Sequence, residues 1–104
     1  MAIETTVGGT PIRGRIDAVF PRPEGGFTVV DWKTGRPPVD ADDLQTKALQ
    51  LAIYRLAYAR LQGLDEDQVD AAFFYASSGQ TVRPELPSAA ELESMLASER
   101  STAG

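Results

Sequence analysis

The feature that most constrains the fold is a strict alternation of side chains over residues 12–20. Apolar or small residues occupy the even positions from Ile12 to Phe20, and mostly polar residues, including Asp17, lie between them. This period of two predicts a β-strand with one buried face. A second run, residues 27–32, is rich in β-branched and aromatic residues, and the proline and glycine residues of 21–26 separate the two runs. The sequence therefore predicts a β-hairpin.

Two helices and further strands are predicted around this hairpin. Residues 1–7 resemble a strand, and the glycines and proline of 8–11 predict a turn after it. Asp40, Asp42 and Asp43 are acids of the kind that begin a helix, and Gly63 is a residue of the kind that ends one. A long helix is therefore expected to run to about residue 62.

The last third of the chain predicts a strand, a short partner strand and a helix. Residues 69–76 form an apolar run, a turn follows over 77–80, and residues 81–85 are the short partner. Ser88 and Glu91 have the spacing of a capping box, so a final helix is expected from there to about Ser98.

These elements predict a mixed α/β fold with the order β-β-β-α-β-β-α. The first three strands should form an antiparallel meander, and the helical crossover permits parallel pairing after it. One domain is expected over residues 1–100, because a chain of 104 residues that is 42% hydrophobic suffices for one core. Residues 101–104 are expected to be a flexible tail.

Composition narrows the chemistry that the chain can carry. It has no cysteine and no histidine, which excludes disulfides, thiolate or imidazole metal ligands, and Ser-His or Cys-His catalysis. A metal ion would have to bind carboxylates, carbonyls and water, which are the ligands that Mg²⁺ or Mn²⁺ prefers. The net charge of −5 argues against a generic nucleic-acid coat protein. The start of the chain does not resemble a signal peptide and no segment resembles a membrane span, so we expect a cytoplasmic protein without a membrane partner.

Two aspartates and a lysine are the candidate site. Asp17 lies inside the first strand of the hairpin and Asp31 closes the second, so strand pairing can bring the two carboxylates together. Carboxylates at close range repel one another unless a cation lies between them. Lys33 should leave the same face as Asp31, while Trp32 points to the other face. Such a cluster is suited to phosphodiester hydrolysis. A surface salt-bridge pattern with no role in chemistry is the alternative.

The long helix carries a small polar ridge of Lys47, Gln50 and Tyr54. Because residues 48–61 are apolar nearly all round, the helix is expected to be largely buried, and a buried glutamine amide needs partners. Gln50 and Tyr54 are four residues apart and so share one face. A satisfied core amide beside a tyrosine at the rim of the core is the alternative.

Together these residues resemble the motifs of the RecB-like branch of the PD-(D/E)XK nuclease superfamily. The pattern G-x-I-D lies at residues 14–17, D-x-K-T at 31–34 and Q-x-x-x-Y at 50–54, in the order of that family. The resemblance covers more than half of the chain, roughly residues 4–58. It implies a restriction-endonuclease-like fold and a metal-dependent deoxyribonuclease with Mg²⁺ or Mn²⁺ as cofactor and DNA as substrate.

The resemblance also implies a role for individual residues. Asp17 and Asp31 would be metal ligands, the backbone carbonyl of Trp32 would complete the metal shell, and Lys33 would be the catalytic lysine. The residues that would line the DNA channel or support the site are Gln50, Tyr54, Lys47 and Glu4.

Members of this branch usually carry a further metal ligand on a helix before the first strand, which this sequence does not include. We therefore expect an excised C-terminal part of a larger protein, weakly active or inactive alone, whose helicase motor lies in the same parent chain or complex. Its role would be in DNA recombination and repair. The sequence has no Walker motif of its own. A non-catalytic domain that binds single-stranded DNA or assembles a helicase complex is the alternative.

Overall fold

The computed structural model describes residues 1–35 and 41–103, and it has the expected mixed α/β architecture. Four strands precede the first helix: β1 (Ala2–Val7), β2 (Thr10–Arg15), β3 (Ala18–Pro21) and β4 (Phe27–Lys33). Helix α1 (Ala41–Gln62), a 3₁₀ turn (Glu66–Gln68), strands β5 (Val69–Tyr75) and β6 (Gln80–Val82), and helix α2 (Ala89–Ala103) follow. No helix in the described part of the chain is both long and apolar enough to cross a membrane.

The strands form two sheets. β1 and β2 form an antiparallel pair, and the larger sheet has the order β3-β4-β5-β6. β4 and β5 are parallel, as the helical crossover through α1 predicts, whereas the β3–β4 and β5–β6 pairs are antiparallel. The predicted hairpin of β3 and β4 is confirmed.

The prediction of one strand over residues 12–20 is wrong, and so is that of a three-stranded meander. β2 ends at Arg15 and pairs with β1, while β3 begins at Ala18 and pairs with β4. Between them, Ile16 exchanges two main-chain hydrogen bonds of 2.8 Å with Met1. The alternating pattern is continuous, but the chain changes its strand partner at Asp17. Asp17 therefore lies at the corner where the two sheets meet.

The helix boundaries that depend on local signals are confirmed. Gly63 ends α1 with φ of 69°, and the N–H of Leu64 donates to Ala59 at 2.8 Å. Ser88 and Glu91 exchange the two hydrogen bonds of a capping box, each 3.2 Å long. α2 then extends to Ala103, which is beyond its predicted end at residue 98 and within the expected tail. The expected capping acid Asp40 lies outside the described residues.

The core lies between α1 and one face of β4 and β5. Val29, Leu51 and Phe73 are buried there with their neighbours, and a smaller cluster joins β1, α1 and α2 around Val7 and Leu92. Arg60 of α1 connects this helix to β1 and α2. Its guanidinium donates hydrogen bonds to the Thr6 carbonyl, the Thr5 hydroxyl and the Glu93 carboxylate. α1 thereby packs against both sheets.

Candidate active site

Asp17 is held at the corner by main-chain contacts on both of its sides. Ile16 before it is 2% exposed and bonded to Met1, and Ala18 after it is the first residue of β3 and pairs with Val30 of β4. One step further along this register, Asp17 is opposite Asp31. The carboxylate of Asp17 accepts a hydrogen bond of 2.9 Å from the main-chain N–H of Trp32. On the β3 edge of β4, the Asp17 side chain thus takes the place of a main-chain partner for Trp32.

Asp31 and Lys33 leave the same face of β4, as the alternation predicts. The Nζ atom of Lys33 lies 3.0 Å from Oδ2 of Asp31, and both side chains are mostly shielded from solvent, with 29% and 13% exposed. The ammonium group also lies 5.7 Å from the centre of the Phe73 ring, and Phe73 is the strand partner of Asp31. Lys33 is therefore held by an ion pair and a cation–π contact.

Asp17 and Asp31 each affect the pKa of the other, and the two pKa values shift in opposite directions. The hydrogen bond from Trp32 lowers the pKa of Asp17. Burial raises the pKa of Asp31, the nearby Asp17 raises it further, and the Lys33 ammonium partly offsets both effects. A pair of this kind resists carrying two negative charges. An added cation would relieve that repulsion.

The structure brings together Asp17, Asp31 and Lys33, and it places a third potential ligand beside them. The N–H of Trp32 points towards Asp17, while the carbonyl of Lys33 accepts from Ala76 on the opposite side of β4. Because main-chain groups alternate in direction along a strand, the Trp32 carbonyl also faces the Asp17 side. Among the described residues, no group of three or more His, Cys, Asp or Glu side chains could hold a metal ion. An ion here would depend on two carboxylates, main-chain carbonyls and water.

A groove between β2 and α1 contains the predicted helix motif. Its volume is about 380 Å³, and Arg13, Lys47, Gln50 and Tyr54 are among its lining residues. The amide of Gln50 donates to the Tyr54 hydroxyl at 3.0 Å. The Tyr54 ring packs directly against Gly14, where an added Cβ would overlap the ring. Gly14 is thus the residue of β2 that permits this helix to approach the strand.

The expectation that Gln50 is a buried amide is wrong. Gln50 is exposed, because α1 buries one side against the larger sheet and leaves its Lys47–Gln50 side open to the groove. Glu4 is exposed on β1 and forms a cross-strand ion pair of 3.6 Å with Arg13. No described contact joins Glu4 to either aspartate, so its supporting role stays a prediction.

Three contributors to this region were not predicted from the sequence. Phe73 lies under Lys33, Arg13 lines the groove, and the N–H of Trp32 binds Asp17. Gly14, which packs against Tyr54, did carry a sequence signal, because a glycine inside a strand pattern often marks a close approach of another chain segment. The other contacts depend on strand pairing across the sheet.

The sequence profile described as the PD-(D/E)XK nuclease superfamily matches residues 1–103. No curated protein matches the chain.

Proposed function

Because the chain belongs to the PD-(D/E)XK nuclease superfamily, we propose that it hydrolyses phosphodiester bonds of DNA with the help of a divalent metal ion. The observation that carries this proposal is the cluster at the corner of the sheets. There Asp17 accepts a hydrogen bond of 2.9 Å from the N–H of Trp32, the residue next to Asp31, and the Nζ atom of Lys33 is 3.0 Å from Asp31.

The donor set of this cluster fits Mg²⁺ or Mn²⁺. Mg²⁺ typically binds through one or two carboxylates and keeps several water molecules, so the absence of a third acidic side chain among the described residues does not exclude it. Asp17 and Asp31 would hold the ion, with the Trp32 carbonyl as a third ligand. When bound, such an ion supplies a Lewis acid for a phosphoryl oxygen and a bound water of lowered pKa.

The side chains of the chain itself prepare the site for a phosphodiester. The ammonium of Lys33 can donate to a non-bridging oxygen, whose negative charge grows as water attacks phosphorus and the P–O bond to the leaving oxygen breaks. The ion pair with Asp31 and the Phe73 ring keep Lys33 in place before substrate arrives. Asp17 is fixed by Trp32, so little rearrangement precedes the reaction.

The groove beside α1 offers a path for the nucleic acid. Arg13 and Lys47 give it two basic groups, and Gln50 and Tyr54 give it neutral hydrogen-bonding groups. These are suited to phosphate and sugar contacts, which position a strand without reading its sequence. We propose that the scissile strand lies along this groove towards Lys33.

We also propose a family branch, a partner and a cellular setting for this domain. The order and spacing of the three sequence motifs support placement in the RecB-like branch, with a helicase motor in the same parent chain or complex and a role in recombination and repair. We also propose a cytoplasmic setting. A non-catalytic module that binds single-stranded DNA is the second candidate, and the small donor set, two carboxylates, is the observation that favours it.

Cleavage under single-turnover conditions tests the proposal. An excess of protein would be incubated with end-labelled single-stranded or duplex DNA, with Mg²⁺, with Mn²⁺ or with a chelator. We expect metal-dependent cleavage that Asp31→Asn and Lys33→Met each slow on the order of a thousandfold. Glu24→Gln is the matched control, because Glu24 is also an ion-paired carboxylate but lies in a surface loop. Cleavage of equal rate by wild type and Asp31→Asn would refute the site, and DNA binding without any cleavage would favour the second candidate.

A further inference from the structure

The face of the larger sheet that lies away from α1 carries exposed aromatic side chains. Phe20 and Trp32 are 53% and 58% exposed, and Phe74, the strand partner of Trp32, is partly buried beside them. β4 and β5 are nevertheless apolar on both faces, which is typical of parallel strands that are covered on both sides. This open face, defined by Phe20, Trp32 and Phe74, therefore has the composition of a contact surface.

The open face contains a shallow cavity of about 290 Å³. Val30 and Ala72, which are paired across β4 and β5, lie in its centre, and the three aromatic side chains surround them. Arg83 supplies a cation at the edge. The cavity is mainly apolar with few polar groups, which is the usual composition of a site for a flat organic ring.

This cavity lies directly behind the candidate active site. Trp32 stands between Asp31 and Lys33 in β4, and its main chain is bonded to Asp17 while its ring faces the open side. The β3–β4 ladder ends at Ala18 and Val30, so among the described residues β4 is flanked at Trp32 by β5 on one edge and by no strand on the β3 edge. A flexible polymer that crosses the active site can therefore pass round this corner and reach the open face.

We propose that the open face binds an unstacked base of single-stranded nucleic acid, held against Trp32 and Phe74, within a few nucleotides of the bond that is cut. This inference rests on the proposed function, because it takes the occupant to be the substrate. Stacking of bases on aromatic side chains is a common and sequence-tolerant way to bind single strands. Bases in a duplex are already stacked and cannot enter the cavity.

The charge at the edge of the cavity agrees with a nucleotide. Arg83 forms an ion pair of 3.0 Å with Asp70, and both side chains are well exposed, at 58% and 40%. Exposed pairs of this kind are weak, so a phosphate group can displace Asp70 from the guanidinium. The same strand could thus be held by its base and by its phosphate.

The size of the open face argues against a stable protein partner. The cavity spans four neighbouring strands. At about 4.8 Å for each strand and about five residues of 3.3 Å each, its footprint is roughly 300 Å². Stable protein interfaces bury about 800 Å² on each partner. A single base with its sugar matches the available surface far better than a second copy of the chain does.

The sole tryptophan of the chain reports directly on this surface, because Trp32 is part of it. Metal-free protein would be titrated with a single-stranded oligoadenylate, with an abasic strand of the same length and with a duplex, while Trp32 emission is followed. We expect quenching by the oligoadenylate and about tenfold weaker binding of the other two. Phe20→Ser and Phe74→Leu should each weaken oligoadenylate binding several-fold. Met95→Ser is the matched control, because Met95 is an exposed apolar residue on α2 and should have no effect.

Several results would overturn the inference. Equal quenching by the abasic strand would show that bases do not enter, and Trp32 emission that shifts with protein concentration alone would show that a second copy covers the face. Because the titration uses metal-free protein, it separates this inference from the proposed function. Cleavage without any response of Trp32 would refute only the base site. A response of Trp32 without cleavage would refute hydrolysis and leave the base site standing.

Discussion

Gly14→Ala tests the contact between β2 and the helix motif. An ideal Cβ at this position would overlap Cε1 of Tyr54 and lie 2.8 Å from its Cζ and 2.9 Å from its hydroxyl oxygen. Carbon atoms in favourable contact are about 3.5–4.0 Å apart, so the ring must move by about 1 Å or more. Overpacking of this kind costs about 1–3 kcal/mol. Tyr54 is only partly buried and can shift, so we expect Gly14→Ala to lower the free energy of unfolding by about 1–2 kcal/mol.

Without the Tyr54 ring, Gly14→Ala should no longer destabilise the protein. Gly14 is not among the glycines with positive φ, so alanine suits its backbone. Without the clash, Gly→Ala typically stabilises a protein by about 0.4–1 kcal/mol, because the unfolded chain loses freedom. Gly14→Ala in a Tyr54→Ala background should therefore be neutral or slightly stabilising. The coupling energy between the two substitutions should be about 2 kcal/mol.

Urea unfolding of the wild type, the two single variants and the double variant measures this coupling. If the changes in unfolding free energy of the two single variants add up to that of the double variant within about 0.5 kcal/mol, the Tyr54 ring does not pack on Gly14 and the groove has a different shape.

Three further predictions concern stability. Asp31→Asn should raise the melting temperature of the metal-free protein, because burial and the nearby Asp17 both disfavour the charged form of Asp31. The same substitution should abolish any stabilisation by Mn²⁺. A lower melting temperature of the metal-free variant would contradict this prediction. The stabilisation from Asp17 should be complete above its ordinary pKa of 3.8 and be lost as the pH falls through its lowered value in the folded state, so Asp17→Asn should weaken the acid dependence of urea unfolding. Arg60→Ala should cost about 1–2 kcal/mol in the same assay, since it removes the hydrogen bonds from α1 to β1 and α2; an unchanged midpoint would contradict that role.

The parts of the fold that depend on neighbouring residues could be predicted from the sequence. Gly63 and the Ser88–Glu91 box mark helix ends through local backbone geometry, and both signals are borne out. The division of residues 12–20 into two strands could not be predicted, because it depends on the choice of distant partners. Met1 pairs with Ile16, and β4 pairs with Ala18, although the side-chain alternation runs through both.

The same distinction applies to the candidate site. Alternation along β4 predicts that Asp31 and Lys33 share a face, and hairpin pairing predicts that Asp17 lies nearby; the structure brings the three together. The exposure of Gln50 could not be predicted, because an apolar sequence does not show which side of a helix the sheets leave uncovered. The catalytic and metal-binding roles of these residues stay predictions.

The proposed function requires that Asp17 and Asp31 together hold a divalent metal ion beside Lys33. Substoichiometric Mn²⁺ added to isotope-labelled protein tests it, because the ion broadens the NMR signals of nearby amides. We expect the amides of Asp17, Asp31, Trp32 and Lys33 to broaden first and Asp31→Asn to remove the effect. Broadening elsewhere, for example around the surface carboxylates of Glu85 and Glu91, with sharp signals at Asp17 and Asp31, would contradict the claim.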